Sequence, residues 1–290
     1  MVGTGIFTSL GYQLIDIESI FPILMLWIIG GILAICGALS YSELATLYPR
    51  SGGEYHLLGI IIHPSVGFAA GIVSSTVGFA APSVLASIAL GKYLSPLMPS
   101  INPLIITLCA ITSIHLLHMI NIRWGIIFQD TFTFIKVGLI IIFIIFGAFV
   151  QRTEIISVFP IDGDIKVLFS PEFAVSLIWV SYAYTGWNSS IYVAGEIKNP
   201  KLNISKSMIL ATFLVTTLYL MLNYIFLFTT PIELMKGKVE IGYIAGVQIF
   251  GQFGGKIMSI GISIMLLSTL SSYVYIGPRI MQAMGEDHKM

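Results

Sequence analysis

The chain has 290 residues, 56% of them hydrophobic and 10% charged, with a mean hydropathy of +0.94 and a formal net charge of zero. Soluble domains carry about 25% charged residues, so a water-soluble globule is excluded. A balanced charge also excludes the broad basic field that a nucleic-acid partner requires.

A spanning helix needs roughly 20 apolar residues. On that measure the sequence predicts an all-α membrane protein with one short remnant and seven full spans, forming one transmembrane domain over residues 1–290. The remnant covers residues 1–12 and is too short to cross alone. It carries Gly3-Thr4-Gly5-Ile6-Phe7, a run interrupted by glycine. The full spans are expected over 23–47, 66–94, 104–120, 126–150, 172–195, 207–228 and 250–283, and residues 242–248 are expected to form a separate interfacial turn. Many connections carry proline (Pro22, Pro49, Pro96, Pro99, Pro160, Pro171, Pro200 and Pro231), which suits span ends. Pro82 lies inside a span, and a kink is expected there. Cys36 and Cys109 are expected to be small buried apolar residues, with no disulfide or metal role.

Lys and Arg in short loops set orientation. Arg50, Arg123, Lys198, Lys201, Lys206, Arg279 and Lys289 fall on one side, against Lys92, Arg152, Lys166, Lys236 and Lys238 on the other. The first set is expected in the cytoplasm. Glu43, Arg50, Glu54 and Glu196 gather at predicted cytoplasmic ends as solvated loop charge, or as a gate latched by an Arg50–Glu196 pair.

The most informative stretch is Ala183-Tyr184-Thr185-Gly186-Trp187-Asn188-Ser189-Ser190, where small and polar residues interrupt an apolar span. Unpaired backbone groups in hydrocarbon cost several kcal/mol each, so such a break persists only where it is buried in protein or lines a cavity. Two Gly-interrupted breaks in corresponding halves are the pattern of a transporter's substrate site. The half-helix after Gly3 and Gly5 presents the N–H groups of Thr4, Gly5 and Ile6, which attract anions; the same glycines equally suit a small-residue packing seam. Lys136 is the one basic residue deep in a span, so it needs a partner or a role. Asp130 reads as interfacial rather than as its counter-ion. Ser268, Thr269, Ser271 and Ser272 line one stretch of the last span, and one of them is expected to face Lys136 or the site. His115 and His118 are expected to pack or reach the interface, and no metal ligand is assigned. No set of nucleophile and base stands at membrane depth, so an enzyme is not expected.

Gly3–Phe7, Tyr41–Leu58 (YSELATLYPRSGGEYHLL) and Ala183–Ser207 (AYTGWNSSIYVAGEIKNPKLNISKS), with Phe128–Gln151 and Ser268–Asp287, closely resemble the amino acid–polyamine–organocation (APC) family of permeases. The resemblance implies a LeuT-type fold of two inverted repeats with discontinuous helices 1 and 6. Here it is partial, running from half of helix 1 through helix 8, with 1–151 as the first repeat and 171–290 as an incomplete second. It implies that the amides of Gly3, Thr4, Gly5 and Ile6 hold a substrate carboxylate. The carbonyls of Tyr182, Ala183 and Thr185 take its ammonium, with Tyr182 or Trp187 as an aromatic gate. Asn188 is expected to tie the broken helix ends together. Lys136 matches the family's helix-5 lysine beside the helix 1 break, which implies proton coupling or a fixed cation. The expected function is secondary active amino acid transport, by proton symport or exchange with alternating access, in the plasma membrane. The expected substrate is a neutral amino acid, with protons and the lipid bilayer as further partners and no cofactor. The departures from the family pattern at both ends leave a second class open: a non-transporting amino-acid-binding membrane protein, or an inactive permease fragment.

Overall fold

The structure, a computed structural model, describes residues 2–120, 122–150 and 157–288. The side chains of Arg123, Arg152 and Lys289, which entered the topology argument, lie outside the described residues.

All regular elements among the described residues are helical. Helix α1 (Gly5–Asp16) is followed by α2 (Ile20–Leu47), α3 (Glu54–Ile61) and α4 (Pro64–Val73). A π-helical stretch, Ser74–Ala80, joins α4 to α5 (Ala81–Leu94). Next come α6 (Pro103–Ile120), α7 (Ile122–Ala148), α8 (Asp164–Val167), α9 (Pro171–Tyr184) and α10 (Ser189–Tyr192). The chain then runs through α11 (Pro200–Thr229), α12 (Ile232–Met235) and α13 (Ile241–His288).

Six of these runs are long and apolar enough to cross a membrane: Ile20–Leu47, Pro64–Leu94, Pro103–Ile120, Ile127–Ala148, Pro200–Thr229 and Ile241–Asp287. The remaining expected span, 172–195, is broken after Tyr184. At 12 and 14 residues, α1 and α9 reach about 18 and 21 Å, short of the roughly 30 Å hydrocarbon core. They pack against each other, and α2 runs beside both α9 and α11. Helix α13 is the most enclosed crossing, with 61% of its apolar window buried against 17% for α6. It packs on α5, α6 and α7. Residues 242–248, expected as a turn, are the first turns of α13, joined to the rest across a non-helical Gly251 (φ 73°, ψ −176°).

Helix starts follow local chemistry. The Ser170 hydroxyl accepts from the Phe173 N–H at 3.2 Å, and Asn102 Oδ1 accepts from the Leu104 N–H at 2.9 Å. Proline follows each of these caps, at Pro171 and Pro103, where its missing donor costs nothing. At Pro82 the expected distortion takes the form of the π turn: the Ala81 N–H reaches back to the Thr76 carbonyl. Widening the helix there relieves the clash between a proline ring and the carbonyl four residues earlier.

Lipid is as apolar as leucine, so close packing rather than water exclusion holds such helices together. Trp27, Tyr184 and Tyr219 form a buried aromatic knot between α2, α9 and α11, with ring centroids 5.2 to 5.9 Å apart. The Tyr93 hydroxyl, on fully buried Tyr93 of α5, donates toward the Phe7 carbonyl at 3.0 Å and accepts from the Gly242 N–H at 3.3 Å. It thereby joins α1, α5 and α13. Cys36 and Cys109 are exposed, not buried. They stand among exposed aliphatic residues such as Leu33 and Leu108, on helix faces turned to lipid, so their surroundings are still apolar.

Candidate functional site

The expected break after α9 is present, and it meets the start of α1. Val2 to Thr4 precede the first helical turn, and Gly5 and Ile6 open α1. Tyr182 and Ala183 belong to the last turn of α9; Thr185 is extended (φ −52°, ψ 151°) and Gly186 has φ 95°. A Cβ on Gly5 would stand 2.4 Å from the Ala183 Cα, so the two segments touch through backbone. The packing-seam reading of Gly5 therefore holds alongside the site reading. The Thr4 hydroxyl lies 3.3 Å from that of Tyr182.

The carbonyls are not equivalent. That of Tyr182 accepts from both the N–H and the hydroxyl of Thr185, at 3.1 and 2.7 Å. That of Ala183 accepts from the Tyr219 hydroxyl at 3.3 Å. A carbonyl has two lone pairs, so Tyr182 has spent both and Ala183 keeps one. The first α1 amides precede the intrahelical ladder, and their dipole points at the break.

Lys136, on α7, is 5% exposed. Its ammonium donates to the Val2 carbonyl at 2.8 Å and to Thr269 Oγ1 at 3.0 Å. The Thr269 hydroxyl lies 3.2 Å from the same carbonyl. Thr269 is thus the member of the hydroxyl run that faces the lysine. Among the described residues Lys136 forms no ion pair. Its charge is met by a carbonyl and a hydroxyl just ahead of α1.

A cavity of about 360 Å³ lies beside Val2, Lys136, Thr185, Trp187 and Thr269. A second, of about 410 Å³, is bounded by Gly78, Phe79, Tyr182, Trp187, Asn188 and Tyr273. A third, of about 200 Å³, lies past Thr4, Thr8, Tyr12 and Trp179 and is also lined by Tyr182. Tyr182 therefore stands between two chambers. Trp187 packs into the notch at Gly37 of α2, edge-on to Tyr41 with centroids 5.0 Å apart.

Other expectations are corrected. Arg50 does not pair with Glu196. Arg50 meets Asp287 at 2.6 Å, while Glu196 meets Arg279 at 3.0 Å and the Tyr275 hydroxyl at 2.7 Å. Asn188 does not bridge the helix ends but donates to Glu54. The His118 ring lies 2.8 Å from the Ser271 hydroxyl. Sequence reasoning missed Tyr219, whose apolar neighbours make it look like plain core. It also missed Tyr273, which lines both larger cavities.

A family model described as "Amino acid permease" matches residues 1–290. The chain is 26% identical to the serine/threonine exchanger SteT of Bacillus subtilis (strain 168), over 99% of this chain and 65% of that protein. It is 30% identical to the b(0,+)-type amino acid transporter 1 of Homo sapiens, over 82% of this chain and 50% of that one. It is 27% identical to the large neutral amino acids transporter small subunit 2 of Mus musculus, over 94% and 51%. The chain spans about half to two-thirds the length of the curated relatives it matches.

Proposed function

The chain belongs to the amino acid permease family, as a multi-pass integral membrane protein, and from that premise we propose that it moves amino acids across the plasma membrane by alternating access. The observation that carries this reading is the contact at Gly5 and Ala183 between the start of α1 and the interrupted α9, with a buried ammonium beside the first. The similarity to amino acid transporters supports reading this contact as a LeuT-type substrate site rather than an enzyme's. The amides of Thr4, Gly5 and Ile6, with that of Gly3, receive the carboxylate. The Thr185 carbonyl and the spare lone pair of Ala183 receive the ammonium; Tyr182, doubly engaged through its carbonyl, serves as gate through its ring. Lys136 fixes the break or carries the coupled proton, giving exchange or proton symport. The larger chambers are lined by aromatic, small and hydroxyl side chains, with no acidic group among their described linings, which supports a neutral substrate.

The test is counterflow of a radiolabelled neutral amino acid into proteoliposomes preloaded with the same compound. Neutral amino acids should compete, whereas analogues lacking the carboxylate or bearing an acetylated amine should not. Lys136→Met should cut uptake at least about tenfold, because it leaves the Val2 carbonyl without its charged donor. Equal competition by both analogues would sink the zwitterion site. Saturable binding without counterflow would support the non-transporting alternative.

A further inference from the structure

The loop over residues 49–54 closes on the chain that follows the helix 6 break. The Gly53 N–H donates to the Ile191 carbonyl at 3.3 Å, and the Gly195 N–H donates to the Ser51 hydroxyl at 2.9 Å. The Asn188 amide and the Tyr192 hydroxyl donate to the two carboxylate oxygens of Glu54. The Tyr192 ring lies flush on Gly53, where a Cβ would overlap it. Its hydroxyl is also 3.4 Å from Ser74 Oγ, at the start of the π-helical stretch. Arg50 at the start of the loop and Tyr55, the residue after Glu54, both hold Asp287, near the end of α13, at 2.6 and 2.9 Å.

Glu54 is unlike the other loop carboxylates. Glu43 and Glu196 are exposed, whereas Glu54 is largely enclosed. Its donors are neutral, and no ion pair among the described residues includes it. Of the elements packed around it, α2 presents Tyr41, the π stretch Ser74, and the segment after the break Asn188 and Tyr192. Arg50, His56 and Asp287 form a second charged group beside the same loop, with His56 two residues after Glu54, and no ion pair among the described residues joins it to Glu54. Burial pushes the Glu54 carboxyl above the ordinary carboxylate range, against the hydrogen bonds to its own backbone and to Asn188.

We propose that the 49–54 loop is a clasp on residues 188–195, and that Glu54 is its positioning residue, fixing the Thr185–Gly186 bend through Asn188 and Tyr192 and letting go when it takes up a proton. This rests on the permease reading for its role in gating, but the clasp itself is testable without substrate. An ionised carboxylate accepts from both donors; a protonated one turns one oxygen into a donor and loses one of the two bonds. The clasp is therefore closed well above the raised Glu54 value and loosens as pH falls through it.

The experiment places a cysteine at Ser189 in a chain carrying Cys36→Ser and Cys109→Ser, held in lipid nanodiscs with both faces open. The rate of modification by a membrane-impermeant thiol reagent is compared with and without Glu54→Gln from about pH 5 to about pH 8. Taking the ratio of the two rates at each pH cancels the thiol's own ionisation. Glu54→Gln, an isosteric mimic of the protonated acid, should react about tenfold faster at the alkaline end, the factor one lost charge-assisted hydrogen bond carries. The ratio should fall toward one at the acid end. A ratio near one throughout, or one that ignores pH, overturns the clasp. So does a pH response abolished by His56→Gln, which would make the histidine the sensor. If the ratio behaves as expected but no amino acid binds, the permease reading fails and the clasp stands. If amino acid binds and the ratio is flat, the clasp alone fails.

Discussion

Gly5 shows how little room the site leaves. The absent Cβ would sit 2.4 Å from one backbone atom and 2.6 Å from the side chain of Ala183. Backbone cannot swing aside as a long side chain can, so Gly5→Val must part α1 from α9. Overpacking of that kind costs about 1–3 kcal/mol, and here it also displaces the amides from the carbonyls they face. Gly138→Ala on α7 is the matched control, since nothing lies within 4 Å of its Cβ position. A helical glycine replaced by alanine without collision gains up to about 1 kcal/mol. Thermal unfolding in detergent should therefore fall for Gly5→Val and hold or rise for Gly138→Ala. Amino acid binding should be lost only in the former. Equal binding by both variants would mean that the Gly5–Ala183 approach has no part in recognition.

At the scale of elements, the joint in α13 carries an isolated test. Gly251 adopts a backbone conformation essentially reserved for glycine, yet its Cβ position is open space. Gly251→Ala therefore probes backbone strain without a clash. A loss of about 1–3 kcal/mol is expected, read as a lower midpoint of thermal unfolding. An unchanged midpoint would show that the first ten residues of α13 hinge freely. The legibility of the sequence divides along similar lines. The break after α9 could be read because glycine, threonine and asparagine together inside an apolar run seldom continue a helix through hydrocarbon. The burial of Lys136 could be read too: a lone charge at that depth needs partners, and it finds the Val2 carbonyl and the Thr269 hydroxyl. The π turn before Pro82 could not, because an i to i+5 ladder leaves no mark on composition beyond the proline itself. Cys36 and Cys109 were misplaced because helices apolar on every side do not reveal which face meets protein and which meets lipid. The Arg50 partner was misassigned because a basic residue in a loop has several acidic candidates, and the chosen one stands 237 positions away.

For the whole molecule, one end is tied by two ion pairs that bring the 49–54 loop, the 194–196 turn and the end of α13 together. The four side chains are 15 to 47% exposed, so each pair is worth at most about 1 kcal/mol. Burial alone would raise the Glu196 carboxyl, but hydrogen bonds from Arg279 and Tyr275 outweigh it and hold the group below the ordinary carboxylate value. A lowered folded value means the pair stabilises above the ordinary carboxylate range and is lost as pH falls through the lowered one. Glu196→Gln should accordingly lower the unfolding midpoint slightly near neutrality. That difference should vanish in acid, where the native carboxyl is protonated too. A deficit that persists undiminished in acid would assign the effect to packing rather than charge. Under the proposed alternating access such weak ties suit an end that opens and closes, because a strong one would hold the protein in a single state.

The wide turn at Ser74–Ala80 also sets an angular phase. Each residue in an ordinary helix advances the side chains by about 100°, so accommodating extra chain in a broadened turn rotates everything downstream relative to everything upstream. Downstream stands Tyr93, whose hydroxyl joins three helices; upstream, Gly67 and Gly71 nestle against Tyr55 of the loop helix α3. Straightening the turn would keep either the tyrosine or the glycines in register, never both. One crossing can face two different neighbours at its two ends because it is wound, midway, with a deliberate misfit.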